Sequence, residues 1–308
     1  MSIVQPRRSA LSPLDAATVW LNSEPLTAAG LHGRVVAVDF CTYSCVNWLR
    51  TVPYRRAWAR RYEDAGLVVV GVHAPEFSFE HDLGNVRRAL DGLGIAYPVV
   101  IDNDFAIWRG FSNRYWPALH LVDESGRIGF HHFGEGAYEQ IERAIQEQLG
   151  VGGELSRVDA GGVAQAADWD AVASPETYVG HPRGQESYRP APAGQLGLNQ
   201  WTVEGGWTHE QESAVVDAAG GSLAFRFHAR DLNLVLTPPP GAAAEFTVRL
   251  DGRAPGAAHG LDIDAEGHGR LDEPRMYQLI RQRDALQERT FEITFLAPGT
   301  RAYVFTFG

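Results

Sequence analysis

The chain carries two cysteines, Cys41 and Cys45, and both fall in one short stretch, Phe40-Cys41-Thr42-Tyr43-Ser44-Cys45. Cys45 stands where an apolar, strand-like run from Val35 to Phe40 gives way to a helix-like one from Asn47. A thiol at a helix N-terminus meets unpaired backbone N–H groups and the positive end of the macrodipole, and both favour the thiolate. The thiolate is the nucleophile, so Cys45 is a candidate for attack on a disulfide or a peroxide. Cys41 is a candidate for resolving an oxidised Cys45 as an internal disulfide, which needs Cα atoms within about 7 Å and converging Cβ vectors. The other reading of Cys41 is a small side chain that fills a core position. Asp39, expected to be buried beneath the helix start, would have its carboxyl pKa raised and would suit a proton acceptor; the other reading is a merely structural acid.

Around these residues lie weaker candidates. Trp48 is read as a wall that shields the sulfur, or as simple packing. Glu76 and His73 sit at the end of a second strand, the edge where open α/β sheets place their sites. In the second half, Trp201, Trp207 and Tyr188 are candidates for a surface that stacks on sugar rings, or for core aromatics.

The elements that would position Cys45 are legible. Val35 to Phe40 and Leu67 to Val72 are continuous apolar runs, the pattern of strands buried on both faces. Helical stretches follow over Asn47 to Ala65 and Phe79 to Leu90, closed by Gly66 and Gly92. Tyr97 to Asp102 reads as a short strand and Phe105 to Phe111 as a short helix. Ala118 to Val122 and Ile128 to Phe133 flank Asp123-Glu124-Ser125-Gly126 and read as a hairpin, with a last helix over Ala137 to Leu149. This half, residues 1–150, is α/β with a mixed sheet. A stretch rich in Gly, Ala and Asp over 151–174 reads as a linker. From 175 to 308, runs such as Ser222 to Ala229, Glu245 to Leu250, Thr290 to Phe295 and Ala302 to Phe307 alternate apolar and polar residues between Gly/Pro turns. That is an all-β antiparallel sandwich, jelly-roll-like.

Composition excludes several functions. The net charge is -11, which argues against nucleic acid as a partner because phosphate contact needs a basic face. All 27 basic residues are Arg, so neither a lysine Schiff base nor a Walker-type phosphate loop is available. No apolar run reaches the length of a membrane span, and no signal peptide or membrane association is expected. Two cysteines are too few for a disulfide framework, and the expected compartment is the cytoplasm.

The strand, Cys45 and helix together resemble the thioredoxin superfamily. Asp39 stands six residues before Cys45 and Pro53 eight after it, where thioredoxins place a buried acid and kink the active-site helix. Trp116-Pro117, directly before the Ala118 strand, matches the cis-proline that faces the reactive sulfur. His73-Ala74-Pro75-Glu76-Phe77 taken with the cysteine stretch resembles the redoxin branch of TlpA- and DipZ-like proteins. In that branch the redoxin domain is followed by a sandwich resembling a carbohydrate-binding module. Ser174 to Gly180 and the closing Tyr303 to Gly308 look like that second domain. The resemblance implies a thiol-dependent oxidoreductase without a cofactor, in which Pro117 and Trp116 shape a groove beside the sulfur. Its partners would be a disulfide-containing protein, a peroxide or a low-molecular-weight thiol, and the sandwich would take a partner or a glycan.

The chain also departs from the pattern. A dithiol member reads Cys-x-x-Cys, and here the second position is Trp48; the aromatic that usually follows Asp-Phe is here Cys41. Thr42 is similar to the Thr of the peroxiredoxin Thr-x-x-Cys, but Val38 stands where that motif opens with proline. The Cys41-to-Cys45 spacing also resembles thioredoxin-fold copper chaperones, which soft thiolates suit. The position of their third ligand, a His, holds Tyr115, with His120, His131 and His132 out of register, so no metal is expected. The rival to the enzyme is a binding or scaffold protein that keeps the fold and has lost turnover.

Overall fold

The computed structural model describes residues 9–180 and 182–308. The chain divides into two compact units, one ending at Ala164 and the other beginning at Gln165.

The first unit is built on a six-stranded sheet in the order β1-β4-β3-β2-β5-β6. Its strands are β1 (Trp20–Leu21), β2 (Val35–Cys41), β3 (Leu67–His73), β4 (Val99–Ile101), β5 (Ala118–Val122) and β6 (Ile128–Phe133). β2, β3 and β4 run parallel, and β5 returns antiparallel to β2, so the sheet is mixed. Its helices are α1 (Val46–Arg61), α2 (Leu83–Gly92), α3 (Ala106–Gly110) and α4 (Tyr138–Leu149). Every residue of β2 is buried, which accounts for a run that is apolar except at Asp39. Successive strand residues point to opposite faces. Val36, Val38 and Phe40 pack with Val70, Val72, Ile107 and Phe111 on the α3 face. Asp39 and Cys41 lie on the opposite face, where Asp39 meets α1.

Three departures from the sequence expectation have local causes. The helix expected over Phe79 to Leu90 is split: a 3-10 turn covers Ser78–His81, and α2 starts afresh at Leu83 with the Asp82 side chain accepting from Asn85 N–H at 2.8 Å. An Asp side chain at an N-cap satisfies an orphan donor, which makes the break favourable. β1 is a two-residue strand that pairs with β4 and is too short to carry a pattern. The stretch 151–164, read as part of a linker, is held on the first unit. Ser156 N–H and Oγ donate to Glu142 Oε1 at 2.9 and 2.7 Å, and Arg143 Nη1 donates to Gly153 O at 3.0 Å.

The second unit is two antiparallel sheets. One has the order β15-β12-β17-β10-β9 with β7 on β17, and the other β14-β13-β16-β11-β8. Its strands are β7 (Thr177–Tyr178), β8 (Trp201–Glu204), β9 (Trp207–His209), β10 (Ala214–Val216), β11 (Ser222–Phe227) and β12 (Asp231–Thr237). β13 (Ala244–Leu250), β14 (His268–Leu271), β15 (Arg275–Arg281), β16 (Arg289–Phe295) and β17 (Arg301–Phe307) complete it. Alternate residues of facing strands fill the core: Leu223, Phe225 and Phe227 against Leu232, Leu234 and Leu236, with Phe246, Phe291, Phe295 and Phe305. β12 lies outside the expected strands although Leu232, Leu234 and Leu236 alternate; β15 carries no alternation because Met276 through Ile280 are all buried.

Glu142 joins α4, α1 and the 151–164 segment. It is buried, yet four donors reach it: Trp58 Nε1 at 3.0 Å, Tyr62 OH at 2.7 Å, and the two from Ser156. Burial alone would raise its pKa, but the hydrogen bonds from Tyr62, Ser156 and Trp58 outweigh it and hold the carboxyl below its ordinary value. A group with a lowered folded-state pKa contributes stability above its unfolded pKa and loses it as the pH falls through the folded one. Urea unfolding at pH 7 and pH 4 should therefore show Glu142→Gln destabilised by about 1–3 kcal/mol at pH 7 and closer to wild type at pH 4.

Candidate active site

Cys45 is the N-cap of α1, with extended backbone dihedrals and no acidic residue in the first helical turn. Residues 42–45 make the tight turn that lifts the chain off β2, closed by Cys45 N–H donating to Thr42 O at 3.2 Å. Cys45 is half-buried and its Sγ lies 4.0 Å from Trp116 O. The Trp116-Pro117 bond is cis, and β5 begins at the next residue. Cys45 and the Trp116-Pro117 pair thus come together from two distant places in the sequence. Around them Trp116 packs on Trp108 at 4.4 Å and Tyr115, 57% exposed, on Phe133 at 5.6 Å.

Cys41 is placed differently. It ends β2 in register with His73 on β3 and is 1% exposed. Burial pushes its thiol pKa well above the ordinary value, helped by the negative charges of Asp39 and Glu80 and by Cys45. Cys41 is therefore held protonated in the fold, whereas Cys45 reaches the surface.

Asp39 requires a correction. It is fully buried, but Oδ1 accepts from Arg55 Nε at 2.9 Å and Oδ2 from Trp48 Nε1 at 2.9 Å. A carboxylate that is ion-paired and hydrogen-bonded on both oxygens is a structural tie, not a waiting proton acceptor. Trp48 is corrected with it: at 1% exposure it lies beneath the helix and lines no substrate groove. Thr42 is also fully buried, with no hydrogen-bond partner for its Oγ1, and is not at the groove either. Glu76 lies half-buried in the loop after β3, where its N–H donates to Glu80 Oε2 at 2.6 Å.

Glu80 is a positioning residue that sequence reasoning missed. It is fully buried, accepts from Ser44 Oγ at 2.7 Å and Ser44 N–H at 3.3 Å, and from Phe77 N–H at 3.0 Å. One carboxylate thereby ties the turn before Cys45 to the loop after β3. The signal available was a Glu three residues after Phe77, the reach-back half of a capping arrangement. Arg50 was also missed: it is 1% exposed and pairs with Glu135 at 3.2 Å. His73 stacks on Tyr43 at 5.7 Å, and among the described residues neither ring nitrogen has a hydrogen-bond partner. Burial lowers its pKa to about 3, so it stays neutral. His120 and His131 face one another across β5 and β6, but no cluster of three or more metal-ligating residues exists among the described residues.

The sugar-stacking surface has no common platform. Trp201 is 1% exposed, lies in the sandwich core, and donates Nε1 to Gly184 O at 2.9 Å. Tyr188 packs against it at 4.8 Å, while Trp207 packs on Phe295 at 5.8 Å in the other sheet's edge strand. Trp201, Tyr188 and Trp207 are core and core-edge aromatics.

With this geometry in view, comparison with known proteins is informative. Residues 174–308 match the family described as "Thioredoxin like C-terminal domain". Protein DipZ of Mycobacterium tuberculosis is 31% identical over 312 residues, covering 96% of this chain and 42% of that protein. The chain belongs to the thioredoxin-like redoxin family. Thiol-disulfide oxidoreductase YkuV of Bacillus subtilis is 25% identical over 142 residues, covering 46% of this chain and 95% of that protein. NHL repeat-containing protein 2 of Bos taurus is 38% identical over 125 residues, 40% of this chain and 17% of that protein. This redoxin chain spans less than half the length of its DipZ relatives.

Two measurements test the site's electrostatics. Arg55→Met should cost about 3–5 kcal/mol in urea unfolding, because it leaves Asp39 buried and unpaired. Asp39→Leu combined with Arg55→Met should cost less than the single change; a catalytic role for Asp39 without a structural one predicts no such recovery. For His73, the unfolded state binds a proton below about pH 6.5 and the folded state only near 3. Stability should therefore fall as the pH drops from 6.5 towards 3, and His73→Phe should flatten that slope.

Proposed function

We propose that this redoxin domain is a thiol-dependent oxidoreductase working through one cysteine, Cys45. The supporting observation is its placement at the N-cap of α1, half-buried and 4.0 Å from the carbonyl before cis-Pro117. The positive end of α1 favours the thiolate there. The thiolate attacks one sulfur of a substrate disulfide, forming a mixed disulfide and releasing the other sulfur as a thiolate. A low-molecular-weight thiol then attacks the substrate sulfur of the mixed disulfide; its proton goes to solvent and Cys45 is regenerated as thiolate, and a second such thiol releases the substrate sulfur, leaving the two small thiols as a disulfide. With a hydroperoxide instead, Cys45 takes the distal oxygen as a sulfenic acid, the alcohol or water leaves, and two external thiols restore it. A disulfide-containing protein is the favoured substrate because YkuV is named a thiol-disulfide oxidoreductase.

Resolution by an outside thiol follows from the burial of Cys41. It is clamped between β3 and the turn that Glu80 holds, and its thiol stays protonated. Internal resolution would require residues 41–45 to leave their turn. The compartment we propose is the cytoplasm, where reducing conditions keep the two cysteines as thiols and supply the external one. The second reading, a binding protein, is favoured by Trp48: it fills the position of a second active-site thiol and is bonded to Asp39.

The test is alkylation of Cys45 against pH, with intact mass after exposure to glutathione disulfide and, separately, to hydrogen peroxide. Cys45 should titrate below the ordinary thiol value of about 8.5 and take up one glutathione, while Cys41 reacts only on unfolding. Cys45→Ser should abolish disulfide reduction by at least about a hundredfold and Cys41→Ser should change it by less than about threefold. A slow, unshifted Cys45 that forms no adduct would overturn the enzyme in favour of the binding protein.

A further inference from the structure

At the far end of the sheet from Cys45, the first unit has a cleft of about 520 Å³ between the second half of α1 and the start of β3. Arg34, Arg56 and Arg60 line it, with Asn22, Glu63 and Tyr97. Arg34 directly precedes β2, whose other end carries Cys41, so the seven residues of β2 put roughly 20 Å between the cleft and the thiols. None of the three arginines makes an ion pair among the described residues; Arg56 is half-buried, and Arg34 and Arg60 are exposed at the rim.

The local structure holds these charges together rather than dispersing them. Arg56 and Arg60 are four residues apart on α1, so they share a face, where like charges repel. Arg60 Nε donates to Arg56 O at 3.3 Å. The Arg56 guanidinium lies over the turn at Gly94, where an added Cβ would stand 3.0 Å from Nη2. The wall opposite is pinned by Asn22, whose Nδ2 donates to Ile95 O at 2.9 Å and Tyr97 O at 3.2 Å. Glu63 supplies one negative charge, and the C-terminal end of α1 about half of one. Three guanidiniums exceed both, leaving an uncompensated positive site on a chain whose net charge is -11.

We propose that this cleft is a binding site for a small polyanion bearing phosphoryl groups. Planar guanidinium forks match phosphate oxygens two at a time, and three of them suit a ligand with more than one negative charge. The volume falls in the range of small-molecule sites, about 300–1,000 Å³, and the overall negative charge repels nucleic acid. The ligand is either a free inorganic polyphosphate or the phosphoryl end of a nucleotide-sized molecule.

The test is calorimetric titration of the whole chain with sodium pyrophosphate and with ADP, at low ionic strength and again at about 0.5 M NaCl. Saturable one-to-one binding that weakens with salt is expected. The Arg56→Gln/Arg60→Gln double variant should lose at least about tenfold in affinity, and so should Arg34→Gln, while Arg157→Gln, exposed and outside the cleft, keeps wild-type binding. Unliganded unfolding midpoints equal to wild type would show that the variants fold. ADP binding about tenfold tighter than pyrophosphate assigns the site to a nucleotide-sized ligand; equal binding assigns it to the phosphoryl group alone. No saturable heat from either probe, or binding that survives both cleft variants, overturns the proposal.

Discussion

The buried contact of Asp39 with Arg55 and Trp48 is the constraint on which the rest of the redoxin unit depends. An isolated carboxylate at that depth would be prohibitively costly, so the strand tolerates Asp39 only if a cation and a second donor arrive from above. Both come from α1, one at its first turn and one two turns later. The three residues therefore fix the rotation and height of the helix over β2. Because Cys45 is the residue from which α1 starts, the same ion pair sets where its sulfur stands. The pair does not act on the thiol directly; it holds the frame that the thiol occupies.

Within that frame the two cysteines have opposite environments despite being four residues apart. Cys41 belongs to the strand, with covered neighbours on both sides, and burial keeps its proton on. Cys45 belongs to the helix terminus, where unpaired backbone N–H groups and an opening past Trp116 favour the anion. Glu80 sharpens the division by anchoring Ser44, so the turn between them has little freedom to bring the sulfurs together. Of the two thiols, only the half-buried Cys45 stands where an outside partner could reach it.

The second unit follows a different logic. Its stability rests on two apolar sheet faces packed together, with Trp201 in the core and Tyr188 and Trp207 against its edges rather than displayed on one face. The segment before it is divided in attachment. Up to Ala164 it is tied to α4 through Glu142, and from Gln165 it bonds to the sandwich through Arg281 and Arg230. A Gly- and Ala-rich composition signals absence of regular structure; it does not signal absence of contacts.

What the sequence determined by itself were features with a local physical cause. Apolar runs identified β2 and β3, alternation identified β11, β13, β16 and β17, and a strand-to-helix switch placed Cys45 at a helix start. Pairings between distant residues were decided only in three dimensions. The choice of Arg55 among the helix arginines as partner for Asp39, the capture of Ser44 by Glu80, and the burial of Trp48 all depend on which helix face meets the sheet. Nothing in the local pattern distinguishes an acid that accepts a proton from one that holds a guanidinium. That distinction belongs to whichever side chain packing brings within hydrogen-bond distance, and so it belonged to the tertiary structure.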